Sequence, residues 1–395
     1  MSNHSTPPVE EASVSIHIGN PAETGSLSSP EIGGSTPDPA IADSDRYSRQ
    51  ILFPGIGATG QHLLASAHVA IIGIGATGAA TASLLARAGV GTLTLIDRDF
   101  VEPSNLQRQV LFDEADARES LPKAEAARRK IALFNSAVTV HPHIADLVPD
   151  NIHELLAPAH LVLDATDNFE TRYLLNDFCV QQSKPWIYAA AIGAYAATMN
   201  ILPLRPNTEP TETPIPYEPT ACLACLFPKP PTGPVETCDT AGILSTAVNL
   251  AASIQTTEAL KLLTNQPHLM RRTLLSHDLW SNERSEINAA KSNPSCTVCG
   301  QRIFTHLAGD GRPHITLCGR NSVQIHEHHR PVDFIAMRDR LAPHADIRDL
   351  RFNELLLRFK RGPHTFTLFP DGRALIQGTT DITLARSLYA RFIGS

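Results

Sequence analysis

Short apolar runs alternate with longer segments of helical period along residues 68–190. The apolar runs contain many β-branched residues, which fits strands buried on both faces of a sheet. Strands that alternate with helices form parallel crossovers. The expected strands are His68–Gly73, Thr92–Asp97, Val138–His141, Leu161–Asp164 and Pro185–Ala190, and the expected helices include one that ends at Ala88 and those at Lys123–Phe134 and Glu170–Gln181. The pattern predicts an α/β fold with a doubly wound, largely parallel, Rossmann-like sheet that carries helices on both faces.

The segments around this alternation differ from it. Residues 1–42 are rich in Ser, Pro, Gly, Thr and Glu, and such a segment buries too little apolar surface to offset its ordering entropy, so we expect a disordered tail. Within the main domain, expected at 43–301, Asn207–Pro219 is too rich in Pro and Thr for regular structure. Ala241–Leu263 is apolar and free of proline, and it predicts a long helix.

Residues 302–395 predict a separate small α+β module. Two alternating runs, Thr365–Phe369 and Arg373–Gln377, flank an Asp-Gly turn, which is a strong hairpin signal. A helix is expected over Ile382–Phe392. Because no glycine-rich loop follows Cys318, the module does not fit a rhodanese domain, and its residues indicate no role.

Composition narrows the class of protein. The chain has 395 residues, of which 42% are hydrophobic, and no run reaches the roughly 18 apolar residues of a membrane span. A net charge of −7 argues against direct nucleic-acid binding. The sequence lacks the basic and apolar pattern of a secretory signal near its start, so we expect a cytoplasmic protein.

Four of the seven cysteines form two C-x-x-C pairs, Cys222/Cys225 and Cys296/Cys299. In a reducing compartment such pairs indicate metal binding rather than disulfides. Two pairs can close a tetrahedral thiolate site with no open position, which is typical of structural Zn²⁺. Cys238 stands just before the expected long helix, and a helix N-terminus lowers the pKa of a nearby thiol, so Cys238 is a candidate nucleophile. The alternative is a small residue in a connecting loop.

A G-x-G-x-x-G pattern, Gly73, Gly75 and Gly78, lies between the first expected strand and its helix. Such glycines allow a tight turn and let backbone N–H groups approach phosphate at the helix N-terminus. Asp97 ends the next strand, where a carboxylate can accept hydrogen bonds from ribose hydroxyls. This pattern is compatible with NAD or with another nucleotide.

Polar and cationic residues follow the strand ends. Asn105 and Arg108 come after the second strand, Lys123 begins a helix, and Asp167 lies just past Leu161–Asp164 in a position suited to Mg²⁺. Phosphoryl and nucleotidyl transfer use fixed cations around the reacting phosphate, whereas hydride transfer does not require them. The sequence therefore favours phosphoryl or nucleotidyl transfer over the alternative of an NAD-dependent dehydrogenase.

From Arg46 to about Gln301 the chain resembles the ThiF/MoeB/HesA family, which is related to ubiquitin-activating enzymes. The matching motifs are Arg46–Gln50 (RYSRQ), the glycine loop, Ser104–Gln109 (SNLQRQ), Asp164–Asn168 (DATDN), the two C-x-x-C pairs and Thr237–Gly242 (TCDTAG). The resemblance implies ATP-dependent adenylation of the C-terminal glycine of a small ubiquitin-like sulfur-carrier protein that ends in Gly-Gly. A family relative that acts on tRNA, a cyclising dehydratase, is a further alternative.

The resemblance also assigns roles by position. It implies that Asp97 holds the ATP ribose, that Asn105, Arg108 and Lys123 contact the phosphates, and that Asp167 binds Mg²⁺. Arg49 would reach into the site of a partner subunit, which implies a homodimer. Cys238 would form a covalent link to the carrier in some members, with sulfur supplied by a donor such as a cysteine desulfurase or a separate rhodanese.

Overall fold

The structure, a computed structural model, describes residues 43–204, 217–230, 241–309, 316–317, 322–325, 332–370 and 372–394. The tail expected at 1–42, most of the loop expected at 207–219, Cys238 and Cys318 lie outside these residues. Within the described part of the chain, no helix is both long enough and apolar enough to cross a membrane.

Strands in the described residues form two sheets. In chain order they are β1 (His68–Ile72), β2 (Thr92–Ile96), β3 (Thr139–His143), β4 (Leu161–Asp164), β5 (Trp186–Ile192), β6 (Tyr195–Ile201), β7 (Thr273–Asp278), β8 (Glu283–Asn288), β9 (Thr316–Leu317), β10 (Ser322–Ile325), β11 (Ile347–Phe352), β12 (Leu357–Arg361), β13 (His364–Leu368) and β14 (Ala374–Gln377).

Helices in the described residues cover both faces of the larger sheet and one part of the smaller sheet. They are α1 (Asp43–Arg46), α2 (Ser48–Ile51), α3 (Gly57–Ala65), α4 (Ala76–Ala88), α5 (Glu114–Glu119), α6 (Lys123–Phe134), α7 (Pro149–Leu156), α8 (Phe169–Gln181), α9 (Leu223–Leu226), α10 (Ser245–Leu263), α11 (Phe334–Leu341) and α12 (Ile382–Phe392), with 3₁₀ turns at Pro103–Asn105 and Pro267–Leu269.

The larger sheet has eight strands in the order β3-β2-β1-β4-β5-β6-β7-β8. The first five are parallel, with β1 paired to both β2 and β4, and the last three are added antiparallel. A tight turn at Gly193, whose φ is +56°, joins β5 to β6. The predicted fold class, an open and largely parallel α/β sheet, is confirmed, and the strand order reverses direction beside β1.

Two apolar layers cover the faces of this sheet. One contains β1 residues such as Ile71 with α4 and α6, and the other contains the opposite side chains of the strands with α7 and α8. Helix α10 crosses the sheet beside α4, and its buried Gln255 accepts from Thr81 Oγ1 at 3.0 Å and donates to the carbonyls of Asp164 and Ile187. This amide therefore fixes α10 and α4 to two adjacent strands.

The long helix expected from Ala241 begins later, at Ser245. The expectation was wrong for the first turn because the backbone there pairs with the β5–β6 turn. Gly193 N–H donates to Gly242 O at 3.0 Å, Leu244 N–H donates to Gly193 O at 2.8 Å, and Gly242 adopts a φ of +71°. A left-handed residue cannot continue a right-handed helix, so the helix begins after it.

The smaller sheet has the strand order β11-β12-β13-β14-β10-β9. Helices α11 and α12 pack against it and share its apolar core. The strands of the predicted hairpin are present, with Leu368 opposite Ala374 and Thr365 opposite Gln377. Phe359 and Phe366 stack within its core at 4.6 Å between ring centroids. Residues just after the expected boundary at 301 pack on the larger domain, where Asp177 of α8 accepts from the N–H of His306 at 2.8 Å.

Candidate functional site

The three loop glycines meet three different constraints where β1 turns into α4. Gly73 has a φ of +83°, and a Cβ there would lie 2.8 Å from Ala165 O. A Cβ on Gly78 would lie 1.8 Å from Gly73 O, so this glycine allows the helix to approach the strand. At Gly75 the nearest atom to an added Cβ is Gln109 Nε2, at 3.9 Å. Open space is therefore kept above the middle glycine only, where a nucleotide phosphate approaches the backbone in this kind of loop.

The N-terminus of α4 faces this open space. No side chain of the described residues caps it, so the first-turn N–H groups and the helix dipole are available to an anion. Gln109 adds a polar group at the same place. It is 3% exposed, and its Oε1 has no hydrogen-bond partner among the described residues. A buried amide oxygen without a protein partner is available to accept a hydrogen bond from a bound ligand or from water. Gln109 is the last residue of the Ser104–Gln109 motif, and the sequence alone indicates no role for it.

Asp97 lies buried at the end of β2 and ties the loop to that strand. Its carboxylate accepts from Ile74 N–H at 2.6 Å and from Asp99 N–H at 2.7 Å. Burial raises the pKa of Asp97, and the nearby Lys123 ammonium opposes that rise. The predicted ribose acceptor is therefore at the strand end beside the glycine loop, and it also orders the backbone on both sides.

Lys123 is brought beside Asp97 by the folding back of the β2–α6 connection. Phe100 and Pro122 form an antiparallel bridge, and Lys123 N–H donates to Asp99 O at 2.8 Å. The Lys123 side chain is 3% exposed, and its Nζ lies 3.2 Å from Asp99 Oδ2. A lysine this buried needs an anionic partner, and a second anion would also be attracted to it.

Asn105 and Arg108 lie on the turn that leads to Gln109. Asn105 is 3% exposed, and its Oδ1 accepts from Glu102 N–H at 3.1 Å, which closes the 3₁₀ turn. Gln109 N–H donates to Asn105 O at 2.9 Å, so these residues share one turn above the glycine loop. The Arg108 guanidinium donates to Ser104 O at 2.9 Å.

Asp167 lies just past the end of β4 and is exposed, with no hydrogen bond or ion pair among the described residues. A carboxylate in this state is free to bind a hard cation. The turn that carries it is held by Asp164, which accepts from Thr166 N–H at 2.9 Å and pairs with Arg172 Nε at 3.2 Å. Burial raises the pKa of the Asp164 carboxyl group, and the positive charge of Arg172 opposes this rise. Sequence reasoning missed Arg172, which no local motif marks.

Arg49 is exposed and lies far from this cluster. The neighbouring Gln50 donates to Ala88 O at 2.7 Å, which places α2 at the C-terminal end of α4. A helix of 13 residues is roughly 20 Å long, so Arg49 is about that far from the glycine loop of its own chain. The remaining predicted residues of the nucleotide set come together at one sheet edge, and Arg49 does not.

The four cysteines of the two C-x-x-C pairs form one cluster, with all sulfur atoms within 4.8 Å of one another. Neighbouring sulfurs lie 3.8 Å (Cys222–Cys225), 3.6 Å (Cys222–Cys296) and 3.3 Å (Cys225–Cys299) apart. Four thiolates at about 2.3 Å from Zn²⁺ in tetrahedral geometry stand about 3.8 Å apart, so the cluster fits zinc. Asn293 N–H donates to Cys225 Sγ at 3.4 Å, and Asn176 Nδ2 lies 3.8 Å from Cys222 Sγ. These donors favour the thiolate forms that a metal requires.

The chain is similar in sequence to a known protein family and to several of its members. A family model described as ThiF family matches residues 47–298. The sulfur carrier protein ThiS adenylyltransferase of Bacillus subtilis is 42% identical over 352 residues, which covers 88% of this chain and 99% of that protein. The SAMP-activating enzyme E1 of Haloferax volcanii is 37% identical over 65% of this chain and 89% of its own length.

Solved structures support the fold. A crystal structure of E. coli MccB with ATP matches with a TM-score of 0.53 and 25% sequence identity, over 65% of this chain and 74% of that chain. The matched share of this chain is close to the span of the larger sheet and its helices.

Proposed function

The chain belongs to the ThiF family, and from this premise we propose that it adenylates the C-terminal glycine of a small ubiquitin-like sulfur-carrier protein with ATP. It is an adenylyltransferase, as are the relatives that match it over most of its length. The observation that carries the proposal is the open space above Gly75 at the uncapped N-terminus of α4, at the sheet edge where β1, β2 and β4 end. Lys123, next to the end of β2, and Asp167, just past β4, supply the charged groups that phosphate chemistry would use there. An NAD-dependent dehydrogenase is not favoured, because it leaves these groups without a role.

The reaction joins a carboxylate to a phosphate. A carboxylate oxygen of the carrier's last glycine attacks the α-phosphorus of ATP, the bond from that phosphorus to the bridging oxygen breaks, and pyrophosphate leaves with the electron pair. No side chain needs to act as a base, since the carboxylate is ionised at neutral pH. Catalysis therefore depends on positioning and on fixed positive charge around the phosphates.

Roles for the site residues follow from their places. We propose that the α4 N-terminus and Asn105 bind the phosphates, with Arg108 and Lys123 neutralising the charge that develops, while Asp97 accepts from the ribose. Mg²⁺ bound by Asp167 would supply charge neutralisation at the leaving pyrophosphate. Zn²⁺ at the four-cysteine cluster has a structural role, because four thiolates leave it no open position.

We also propose a homodimer in which Arg49 completes the site of the partner subunit, because it lies about one helix length from its own. A mixture of Arg49→Ala and Lys123→Met chains tests this. Each variant is inactive by itself, whereas mixed dimers contain one intact site, and activity should return to about a quarter of the wild-type value. No recovery after subunit exchange would contradict the shared site.

The later sulfur step is a separate proposal. Cys238 lies outside the described residues, and we propose that its thiolate attacks the carbonyl carbon of the carrier's acyl adenylate, which forms a thioester and releases AMP. Sulfur would then come from a cysteine desulfurase or a separate rhodanese. Cys238→Ser should keep ATP–pyrophosphate exchange and impair sulfur transfer. Because the reaction needs ATP and reduced thiols, we place it in the cytoplasm.

ATP–pyrophosphate exchange tests adenylation directly. Exchange should occur with ubiquitin-like carriers that end in Gly-Gly and stop when the final glycine is removed. Lys123→Met should lower the exchange rate by about 10²-fold or more, as loss of one charge-stabilising group does. Lys130→Met is the matched control, because Lys130 is on the same helix and pairs with Asp113 and Asp116 rather than with a residue of the nucleotide set. Absence of exchange with every Gly-Gly carrier, together with tight NAD binding, would overturn the proposal.

A further inference from the structure

A row of alternating charges runs from Lys123 away from the nucleotide site. Lys123 Nζ lies 3.2 Å from Asp99 Oδ2, Arg98 Nε lies 4.0 Å from Asp99 Oδ1, and Arg98 Nη1 lies 2.5 Å from Asp146 Oδ1. We call Lys123, Asp99, Arg98 and Asp146 the charge ladder. Burial by itself would lower the pKa of Arg98, but Asp146 and Asp99 raise it by more. The Arg98 guanidinium therefore stays charged at neutral pH.

Two residues of the smaller sheet contact Asp146, the member of the charge ladder that is farthest from Lys123. Asp146 Oδ2 accepts from Gln324 Nε2 of β10 and lies 3.8 Å from Nη1 of Arg373, the residue just before β14. Arg373 also donates to Ile144 O at 2.5 Å and stacks over Phe369 at 4.2 Å from the ring centroid. Both residues of the smaller sheet thus converge on one carboxylate of the larger domain.

The ladder lies in a poorly solvated environment. The Lys123 and Arg373 side chains are 3% and 4% exposed, the Asp146 and Asp99 side chains are 15% and 16% exposed, and the Arg98 side chain is 25% exposed. Charges that are shielded from water interact strongly and tolerate little change in geometry. A shift of Asp146 would therefore change the position of Arg98 and, through Asp99, that of the Lys123 ammonium.

An apolar contact holds Phe100, the residue that follows Asp99 in the chain. Phe100 is buried in a small cluster with Leu356, Phe369 and Leu375 of the smaller sheet. The Arg358 guanidinium lies over this ring at 4.4 Å from its centroid. The segment that carries the ladder is thus held by charge and by packing, both supplied from residues after 322.

We propose that the C-terminal module is a positioning element for the ATP site. Gln324 and Arg373 fix Asp146, Asp146 orients Arg98, and Arg98 with Asp99 sets the place of the Lys123 ammonium. Gln324 and Arg373 are positioning residues that act through the ladder and do not touch ATP. The inference rests on the proposed function, since it assigns Lys123 to the phosphates.

Binding of MgATP to the full chain, measured by calorimetry without any carrier, tests this. Arg373→Met, which keeps a long side chain and removes the charge, should weaken MgATP binding about three- to tenfold. Gln324→Met, which removes only the amide, should weaken it in the same direction, and it serves if Arg373→Met fails to fold. Arg338→Gln is the control in the same module, because Arg338 pairs with Asp339 at the surface, and it should bind as the wild type does.

A double-mutant cycle separates positioning from general stability. If Arg373 acts through Asp146, the loss of affinity caused by Arg373→Met should largely disappear in an Asp146→Asn background. Additive losses would instead indicate independent structural effects and would overturn the inference, as would unchanged MgATP binding in folded Arg373→Met and Gln324→Met chains. Failure of the wild-type chain to bind MgATP would count against the proposed function itself, so the two failures are distinguishable.

Discussion

Replacement of the loop glycines by alanine should separate a fold requirement from a ligand requirement. In Gly78→Ala the new Cβ would stand 1.8 Å from Gly73 O and 2.9 Å from Gly73 C, both of which are backbone atoms. Unstrained contacts begin near 3.5 Å, so helix and strand must separate by more than about 1 Å. Overpacking of this kind costs about 1–3 kcal/mol or more. At about 2–4 °C per kcal/mol, Tm should fall by roughly 5 °C.

Gly75→Ala is the matched change, because the new Cβ meets nothing closer than 3.9 Å. The free energy of unfolding should stay within about 1 kcal/mol of the wild-type value. The methyl group would, however, occupy the space where phosphate approaches the helix N-terminus. The MgATP dissociation constant should therefore rise at least about tenfold, which is about 1.4 kcal/mol of binding free energy.

Thermal unfolding and calorimetric titration of both variants provide the check. The expected result is a crossed pattern, in which Gly78→Ala lowers Tm and Gly75→Ala keeps Tm but loses MgATP affinity. If Gly75→Ala binds MgATP as tightly as the wild type does, the open space above Gly75 is not the phosphate site. An unchanged Tm in Gly78→Ala would refute the argument from close approach.

Three further outcomes are expected. Asp167→Asn should leave Tm within about 1 °C, since the side chain is exposed, and raise the Mg²⁺ concentration for half-maximal pyrophosphate exchange about tenfold. Cys299→Ser should lower the zinc content and reduce Tm by about 3 °C or more, and a strong chelator should do the same to the wild type but not to the variant. Burial lowers the pKa of His68, His143 and His160 below 6.5, so the unfolded chain binds more protons than the folded protein in acid. Their contribution to the free energy of unfolding should therefore fall as pH drops below about 6.5, whereas the raised pKa values of the buried Asp97 and Asp164 carboxyl groups act in the opposite direction. Relative to the wild type, the Tm of a His160→Gln variant should therefore rise as pH drops from about 7 to 5.5, and an identical pH dependence of Tm in the two proteins would contradict this.

Local signals were sufficient where a segment depends mainly on its own residues. The helix predicted at Lys123–Phe134 has those bounds in the structure, with Pro122 before it and Asn135 after it. The gathering of Asp97 and Asp167 at one edge was also predictable, because the carboxyl ends of parallel strands share an edge, whereas Lys123 reaches this edge through the bridge between Phe100 and Pro122. The four-cysteine cluster followed from spacing, since two C-x-x-C pairs have few other uses in one domain.

Local signals failed where the structure depends on distant partners. Strand β8 exposes every one of its residues, so it has no apolar alternation to reveal it, and only pairing with β7 makes it a strand. The start of α10 is set by the turn at Gly193, which lies far away in the sequence. The role of Asp146 is likewise invisible locally, because its partners Arg98 and Arg373 come from opposite parts of the chain.

The charge ladder has a consequence for how related sequences diverge. Asp99, Arg98 and Asp146 each lie between two opposite charges, so replacing one of them leaves a neighbour uncompensated in a poorly solvated place. Substitutions at Arg98, Asp146 and Arg373 should therefore occur together among relatives. Relatives that lack the smaller sheet should be able to replace Arg98 and Asp146. A grafted module from another relative should be compatible only when it brings the matching side chains at the positions of Gln324 and Arg373.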